Sequence, residues 1–324
     1  MYHGRCQAIP KEQLLERYAT SKHRLIFLDY AGSITGRELS NLFVKHDFLG
    51  VSKRQLPQRT IQIIKELCKD SRNKVFIVSG NTKEVLVSLF KEILDDPSSP
   101  LGIIAHSGVA IRYGNLSLGP PDSERSHGSN AYLESKQDDG GWEYIVGGIA
   151  DAWPDWMDAA GIPTIMNSYT WRTAGSEWKK TSVSTSWEFR HADPEWGQIQ
   201  AQKLEKDLVK AVESVNVPVN IIRKRHTVEL LPKGADKGRA AEVIMQEIRR
   251  LSKRVPDFLL AIGDDSTDEP MFSQVLNFMG SVNSQDTRFD DVYTCTVARK
   301  STSAQYFVKD VTEVLSLLAE LPSV

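Results

Sequence analysis

Arg24-Leu25-Ile26-Phe27-Leu28-Asp29-Tyr30-Ala31-Gly32-Ser33 is the stretch on which the fold turns. Its apolar residues run without a polar interruption, the pattern of a strand buried on both faces of a parallel sheet. The run stops on Asp29 and turns through Gly32 into a hydroxyl residue. That places one carboxylate at the carboxyl end of a buried strand, where open α/β sheets bind ligands. Position 31 lies on the same side of an extended chain as position 29. It holds alanine where a second acid would complete a pair.

Outward from this stretch, three more short apolar runs read as buried parallel strands: 75–78, 103–105 and 258–262. Each ends in small or acidic residues: Ser79-Gly80, His106-Ser107-Gly108 and Gly263-Asp264-Asp265. Helical periodicity fills the intervals at 56–69, 83–94, 237–251, 269–276 and 303–318. Strand and helix in alternation predict a doubly wound parallel sheet with helices on both faces. The middle third breaks the alternation. Residues 115–141 are rich in Gly, Ser, Asp and Pro and read as a mobile surface insertion. Beyond it, 142–160 reads as a helix, 164–173 and 181–190 as strands, 196–215 as a helix, and 217–222 with 226–231 as a strand pair. The expectation is a Rossmann-like α/β core of residues 1–110 and 232–324, with an inserted α+β cap of 111–231.

Composition narrows the classes of function. The 324 residues are 40% hydrophobic and 25% charged, ordinary values for a globular chain with a sizeable core. A net charge of −2 gives no electrostatic case for a nucleic-acid partner, and the basic clusters Arg223-Lys224-Arg225 and Arg249-Arg250 are short. No run approaches the ~18 apolar residues of a membrane-spanning helix, so no membrane partner is expected. The cysteines Cys6, Cys68 and Cys295 are odd in number and unrelated in spacing. They read as free thiols in a reducing compartment, which points to the cytoplasm.

Four strand-end or helix-start motifs converge if the sheet forms in this way. Asp29 is the candidate nucleophile. Ser79 offers a hydroxyl to a phosphate. Lys237, in Lys233-Gly234-Ala235-Asp236-Lys237-Gly238, starts a helix where an ammonium and backbone N–H groups favour an anion. Asp264, Asp265 and Asp268 crowd hard oxygen ligands into one loop, suited to Mg²⁺. Transfer of a phosphoryl group to a carboxylate uses this set, with metal and lysine neutralising charge while the nucleophile is held in line. Each signal alone has a plainer reading: a strand-end Asp as a cap, Ser-Gly as a turn, a lysine as solvated charge. Three acids so close repel unless a cation or donors compensate them, which makes the loop the most specific of the four.

With these residues in hand, the chain resembles the haloacid-dehalogenase superfamily and, within it, the trehalose-6-phosphate phosphatase family. The resemblance runs from about residue 14 to the C-terminus. It is carried by Asp29-Tyr30-x-Gly32, Val78-Ser79-Gly80, Tyr169-Thr170-x-Arg172-Thr173-x-Gly175-Ser176, Trp187, Arg190-x-Ala192-Asp193-Pro194, Lys237-Gly238, the 263–269 loop with Met271-Phe272, and Ala298-Arg299-Lys300. It implies a haloacid-dehalogenase core with a cap over a Mg²⁺ site. Asp29 then matches the nucleophile, Ser79 and Lys237 the phosphate binders, and Asp264 and Asp268, with Asp29, the metal-side acids. In the cap, Arg172, Ser176, Lys179 and Glu188 match substrate-facing positions, as His106 does at the end of the third strand.

The departures fall on the chemistry. Ala31 replaces the family's general acid/base aspartate, and Ser33 its threonine. His106-Ser107-Gly108 stands for Glu-His-Gly, whose glutamate contacts the sugar. Lys179 occupies the place of a cap glutamate, Thr181 and Ser182 lie near the family's lysines, and Glu188 stands where the family has His. An engineered Asp→Ala change would explain Ala31 alone, whereas a degenerate pocket explains all of these. The resemblance implies a non-catalytic regulatory or scaffolding subunit whose partners are trehalose-phosphate synthase and phosphatase subunits. Such domains often follow a glycosyltransferase domain in one chain, and residues 1–23 would fit a linker from one. An active Mg²⁺-dependent phosphatase, on trehalose 6-phosphate or another sugar phosphate, is the alternative. Asp-x-Ala-Gly also resembles the nucleophile loop of phosphonoacetaldehyde hydrolases, although the cap lacks that family's arrangement.

Overall fold

The computed structural model describes residues 6–36, 56–96, 98–114, 134–135, 141–252, 254–281 and 291–324. The insertion expected at 115–141 lies outside them, apart from 134–135 and Gly141. In chain order the strands are β1 (Gln7–Ala8), β2 (Arg24–Asp29), β3 (Asn73–Val78), β4 (Gly102–Ala105), β5 (Ala110–Arg112), β6 (Glu134–Ser135) and β7 (Trp142–Tyr144). They continue with β8 (Glu177–Lys180), β9 (Thr185–Glu188), β10 (Val219–Arg223), β11 (Thr227–Pro232), β12 (Phe258–Gly263), β13 (Val292–Val297) and β14 (Tyr306–Val308).

One sheet runs β1-β14-β13-β12-β2-β3-β4-β5-β7-β6. Its pairings from β1 across to β4 are all parallel, and β5 returns antiparallel to β4. Every residue of β2 is buried, because helices cover the sheet and an interior parallel strand has no wet face. Leu28 pairs with Ile262 on one side and Asp29 with Val78 on the other. From β2 the chain moves outward to β3 and β4, and from β12 it moves the opposite way to β13 and β14. The carboxyl ends of β2 and β12 therefore flank a topological switch point, the crevice where doubly wound sheets take ligands. At the other end of β2, Arg24 is buried with its guanidinium 3.7 Å over the Tyr18 ring and paired to Asp70 at 2.9 Å.

Two compact units divide the chain: Met1–Ser129, Ser135–Glu143 and Asp236–Val324 in the first, Asn130–Glu134 and Tyr144–Ala235 in the second. The second is built on an antiparallel sheet ordered β10-β11-β9-β8. Its apolar face buries Trp187 against helix Ile162–Trp171, where the indole N–H donates to Thr170 Oγ1 at 3.1 Å. Trp153 of helix Ile149–Ala159 likewise donates to Thr185 Oγ1 at 3.3 Å. Helix Pro194–Val215 starts on Asp193, whose carboxylate accepts the Trp196 N–H at 2.8 Å, and ends on left-handed Asn216.

Four segments differ from the expected elements. Residues 164–171 of the expected strand 164–173 are helical (Ile162–Trp171) despite their β-branched threonines and isoleucine. Gly161 and Pro163 open the turn, and Ile162, Met166 and Tyr169 fall on one buried stripe. Residues 142–160 are not one helix. Trp142 and Tyr144 alternate with half-buried Glu143 in β7, and the helix begins at Ile149. Residues 303–318 likewise split into β14 and helix Val311–Glu320, where the Asp310 carboxylate caps the Glu313 N–H. A gentler break at Phe90 divides 83–94 into Lys83–Leu89 and Lys91–Leu94.

Candidate functional site

Asp29 closes β2 as a buried carboxylate. The loop after it is tightly folded: Gly32 N–H donates to the Thr35 carbonyl at 2.8 Å, and Ile34 and Thr35 donate to the Tyr30 carbonyl. Gly32 has φ +90, and a Cβ there would lie 1.8 Å from Asp264 Oδ2. Only glycine lets the two loops approach so closely. Ser33 is buried and donates its hydroxyl to Asp29 Oδ2 at 3.1 Å. Ala31 is half-buried, so its methyl group leaves the position two residues past Asp29 without an ionisable group.

Lys237, the first residue of helix Lys237–Ser252, donates to Asp29 Oδ1 and to Asp268 Oδ1, each at 2.7 Å. Asp268 is fully buried, and its second oxygen accepts the backbone N–H groups of Asp264 at 2.9 Å and Asp265 at 3.0 Å. It thus holds the lysine with one oxygen and shapes the acidic loop with the other. Carboxylate oxygens of Asp29, Asp264 and Asp268 lie within 4.8 Å of one another. Hard oxygen donors at this spacing, with an excess of buried negative charge, fit a small divalent cation such as Mg²⁺.

The charges agree with that fit. Burial pushes the Asp29 carboxyl well above the usual carboxylate range, Asp268 and Asp264 push it further, and Lys237 opposes them. Burial would also lower the Lys237 ammonium, but Asp268, Asp29 and Asp265 outweigh it and raise its pKa. Three acids sharing one ammonium are the arrangement that a bound cation relieves.

Ser79 and His106 come to the same end of the sheet. Ser79 is buried, and its Oγ accepts the Asn81 N–H at 3.1 Å. His106 and Ser107 are buried and take left-handed backbone, φ 51 and 56, uncommon for residues with a Cβ. Ser107 N–H donates to the Ser79 carbonyl at 3.0 Å, and His106 Nε2 accepts the Lys83 N–H at 3.4 Å. A Cβ at Gly108 would lie 2.2 Å from the Asp236 carbonyl oxygen, so this segment packs directly on the start of the Lys237 helix.

The remaining expected positions belong to the second unit. Arg172 stacks its guanidinium 3.5 Å over Tyr169, whose hydroxyl donates to Asp207 at 2.6 Å. Ser176 donates to the Thr173 carbonyl at 2.7 Å. Lys179 of β8 reaches diagonally to Glu188 of β9 at 3.8 Å, and Glu177, which lies opposite Glu188, is 3.2 Å from the same ammonium. Lys179 and Glu188 therefore share one surface charge cluster with Glu177. Sequence reasoning named Ser33 and Lys300 without giving either a contact: Ser33 donates to Asp29, and the Lys300 ammonium donates to the Asp264 carbonyl. A basic residue just past a strand that neighbours the acidic loop was the available signal for the latter.

The trehalose-phosphatase family model matches residues 51–312. The chain belongs to the trehalose-phosphatase family. It is 30% identical over 313 residues to "Probable alpha,alpha-trehalose-phosphate synthase 8", a UDP-forming enzyme of Arabidopsis thaliana, with 96% of this chain and 30% of the relative aligned. The chain thus spans about 30% of the length of such curated relatives. Among solved structures it is similar to the C-terminal domain of Candida albicans trehalose-6-phosphate phosphatase, at 23% identity and TM-score 0.72 with both chains fully covered. It is also similar to the C-terminal domain of the Candida albicans trehalose synthase regulatory protein, at 15% identity and TM-score 0.63, covering 98% of this chain and all of that one. These neighbours share its fold: a haloacid-dehalogenase-like core sheet with a separate antiparallel sheet.

Proposed function

We propose that this chain is a phosphatase-like domain without phosphatase turnover, acting as a regulatory or scaffolding part of a trehalose-6-phosphate synthase and phosphatase complex. The observation that carries the reading is Ala31. An aspartate nucleophile that displaces a sugar alkoxide needs a neighbouring acid to protonate the leaving oxygen. Loss of such a group costs about 10²–10⁴-fold in rate, some 3–5 kcal/mol of barrier. The exchanged charges at His106, Lys179 and Glu188 argue in the same direction. A sugar hydroxyl deprived of a charged hydrogen-bonding partner binds about 1.5–3 kcal/mol more weakly.

Mg²⁺ is part of the proposal. Asp29 and Asp264 would hold it with Asp268 closing the set, and the bound ion would neutralise phosphate charge. Ser79 and Lys237 would hold the phosphate of a sugar phosphate bound as a signal. Partners would be synthase and phosphatase subunits, with a glycosyltransferase domain elsewhere in the full-length protein and a cytoplasmic location. No helix among the described residues is long and apolar enough to cross a membrane.

A second reading, an active Mg²⁺-dependent phosphatase on trehalose 6-phosphate or another sugar phosphate, is favoured by one observation. The buried Lys237 bridge between Asp29 and Asp268 is intact. Phosphate release from trehalose 6-phosphate and a panel of sugar phosphates with Mg²⁺ separates the two. We expect the unmodified chain to match Asp29→Asn, and Ala31→Asp to remain within about tenfold of both, well short of the 10²–10⁴-fold that one acid supplies. Hydrolysis by the unmodified chain that disappears in Asp29→Asn establishes the second reading.

A further inference from the structure

We propose that Lys300 is a positioning residue that holds Asp264 in place for a divalent cation, a role that rests on the metal reading given above. Strand β13 ends at Val297, and the chain turns through Ala298, whose φ of 64 is left-handed backbone on a residue that carries a Cβ. The turn is locked by the Ala298 N–H donating to the Val308 carbonyl at 2.8 Å. Because β13 lies beside β12, with Thr296 opposite Gly263, this turn delivers the next residues to the acidic loop.

Two attachments follow within four residues. The Lys300 ammonium donates to the backbone carbonyl of Asp264. Thr302 Oγ1 donates to Glu269 Oε1 at 2.7 Å, and the Ser303 N–H donates to Glu269 Oε2 at 2.5 Å. Residues 300–303 thus clip both ends of the acidic loop. Asp264 is held from two directions: its N–H by the Asp268 carboxylate at 2.9 Å and its carbonyl by Lys300. The carboxylate it presents lies hard against Gly32, where no extra atom fits. A loop shift of a few tenths of an ångström would alter the spacing of Asp264 from Asp29, so fixing the peptide fixes the ligand pair.

Charge gives the test a sign. Asp29, Asp264, Asp265 and Asp268 stand against Lys237 and Lys300, four carboxylates to two ammonium groups. If Lys300 acted only through its charge, removing it would make the pocket more negative and tighten cation binding. If it acts by position, removing it weakens binding in spite of the charge. Residues that orient metal ligands from behind typically contribute 10–100-fold to affinity.

The experiment is Mn²⁺ titration of the full chain, followed by electron paramagnetic resonance of the free ion, with thermal melts as a check on folding. We expect Lys300→Met to lose about tenfold or more in affinity and Lys300→Arg to recover most of it. Thr302→Val, which loosens the same clip without changing charge, should shift affinity in the same direction and keeps the test open if Lys300→Met folds poorly. Lys300→Met binding Mn²⁺ as tightly as the unmodified chain, or more tightly, overturns the positioning role alone. An unmodified chain that takes up no Mn²⁺ overturns the metal reading and this role together.

Discussion

Replacing Lys237 with Met tests whether the buried ammonium, rather than shape alone, holds the pocket together. Lys237, Asp29 and Asp268 have side chains 4%, 5% and 0% exposed, and both ion pairs are 2.7 Å. At an effective dielectric of about 20 each pair carries a gross attraction of about 6 kcal/mol. The desolvation of three charges offsets several kcal/mol per ion, so the gross figure is not the cost of the substitution. Removing one partner of a buried set costs about 3–5 kcal/mol, because the remaining charges are left uncompensated. The low end applies here, since Asp268 keeps the backbone donors of Asp264 and Asp265 and Asp29 keeps Ser33. The expected loss is therefore about 3 kcal/mol near pH 7.5 with metal chelated.

The pH dependence has a definite direction. The folded-state pKa of Asp29 already lies well above its ordinary 3.8, and deleting the opposing ammonium raises it further. A raised acid binds its proton more readily in the folded state. Its stabilising contribution is full below the ordinary value and is lost as pH rises through the folded value. The deficit of Lys237→Met against the unmodified chain should thus shrink from pH 7.5 to pH 5. Urea unfolding followed by far-ultraviolet circular dichroism at the two pH values measures it. A loss under about 1 kcal/mol at pH 7.5, the range of an exposed pair, would refute the reasoning, as would a deficit that does not change with pH.

Two structural substitutions extend the test. Gly32→Ala combines a left-handed φ with a Cβ 1.8 Å from Asp264 Oδ2, and should cost about 1–3 kcal/mol in thermal stability. It should also abolish Mn²⁺ uptake, and unaltered titration would show that the two loops do not need their close approach. Trp187→Ala removes a fully buried ring stacked on Phe189 with centroids 5.2 Å apart. It should destabilise the second unit by about 3–5 kcal/mol in urea unfolding, and protease resistance of 144–235 equal to that of the unmodified chain would count against it.

Much of the core was legible because its signals are local. An interior parallel strand must be apolar on both faces, so residues 25–28 announced β2, and the charged or small residues at strand ends announced the crevice. The order of Asp29, Ser79, Lys237 and the acidic loop then placed one chemistry at the switch point. Where neighbours decide the conformation, the sequence was ambiguous. Tyr306–Val308 is a strand because β13 and β1 offer free edges on either side of it, and no periodicity within three residues could reveal that. Residues 162–171 carry strand-forming threonines, yet burial of Ile162, Met166 and Tyr169 against the antiparallel sheet selects the helix.

The site divides in the same way. Residue identity alone determined that a carboxylate, a lysine and an acidic loop are present and that position 31 carries no acid, since covalent composition needs no fold to be read. Only the tertiary structure decided how the charges are apportioned. It joined Lys237 to two aspartates 208 and 31 residues away, pressed Asp264 against Gly32, and brought Lys300 to the Asp264 carbonyl. Those approaches depend on the order and register of parallel strands, which bring distant segments together through a buried sheet that no local stretch encodes.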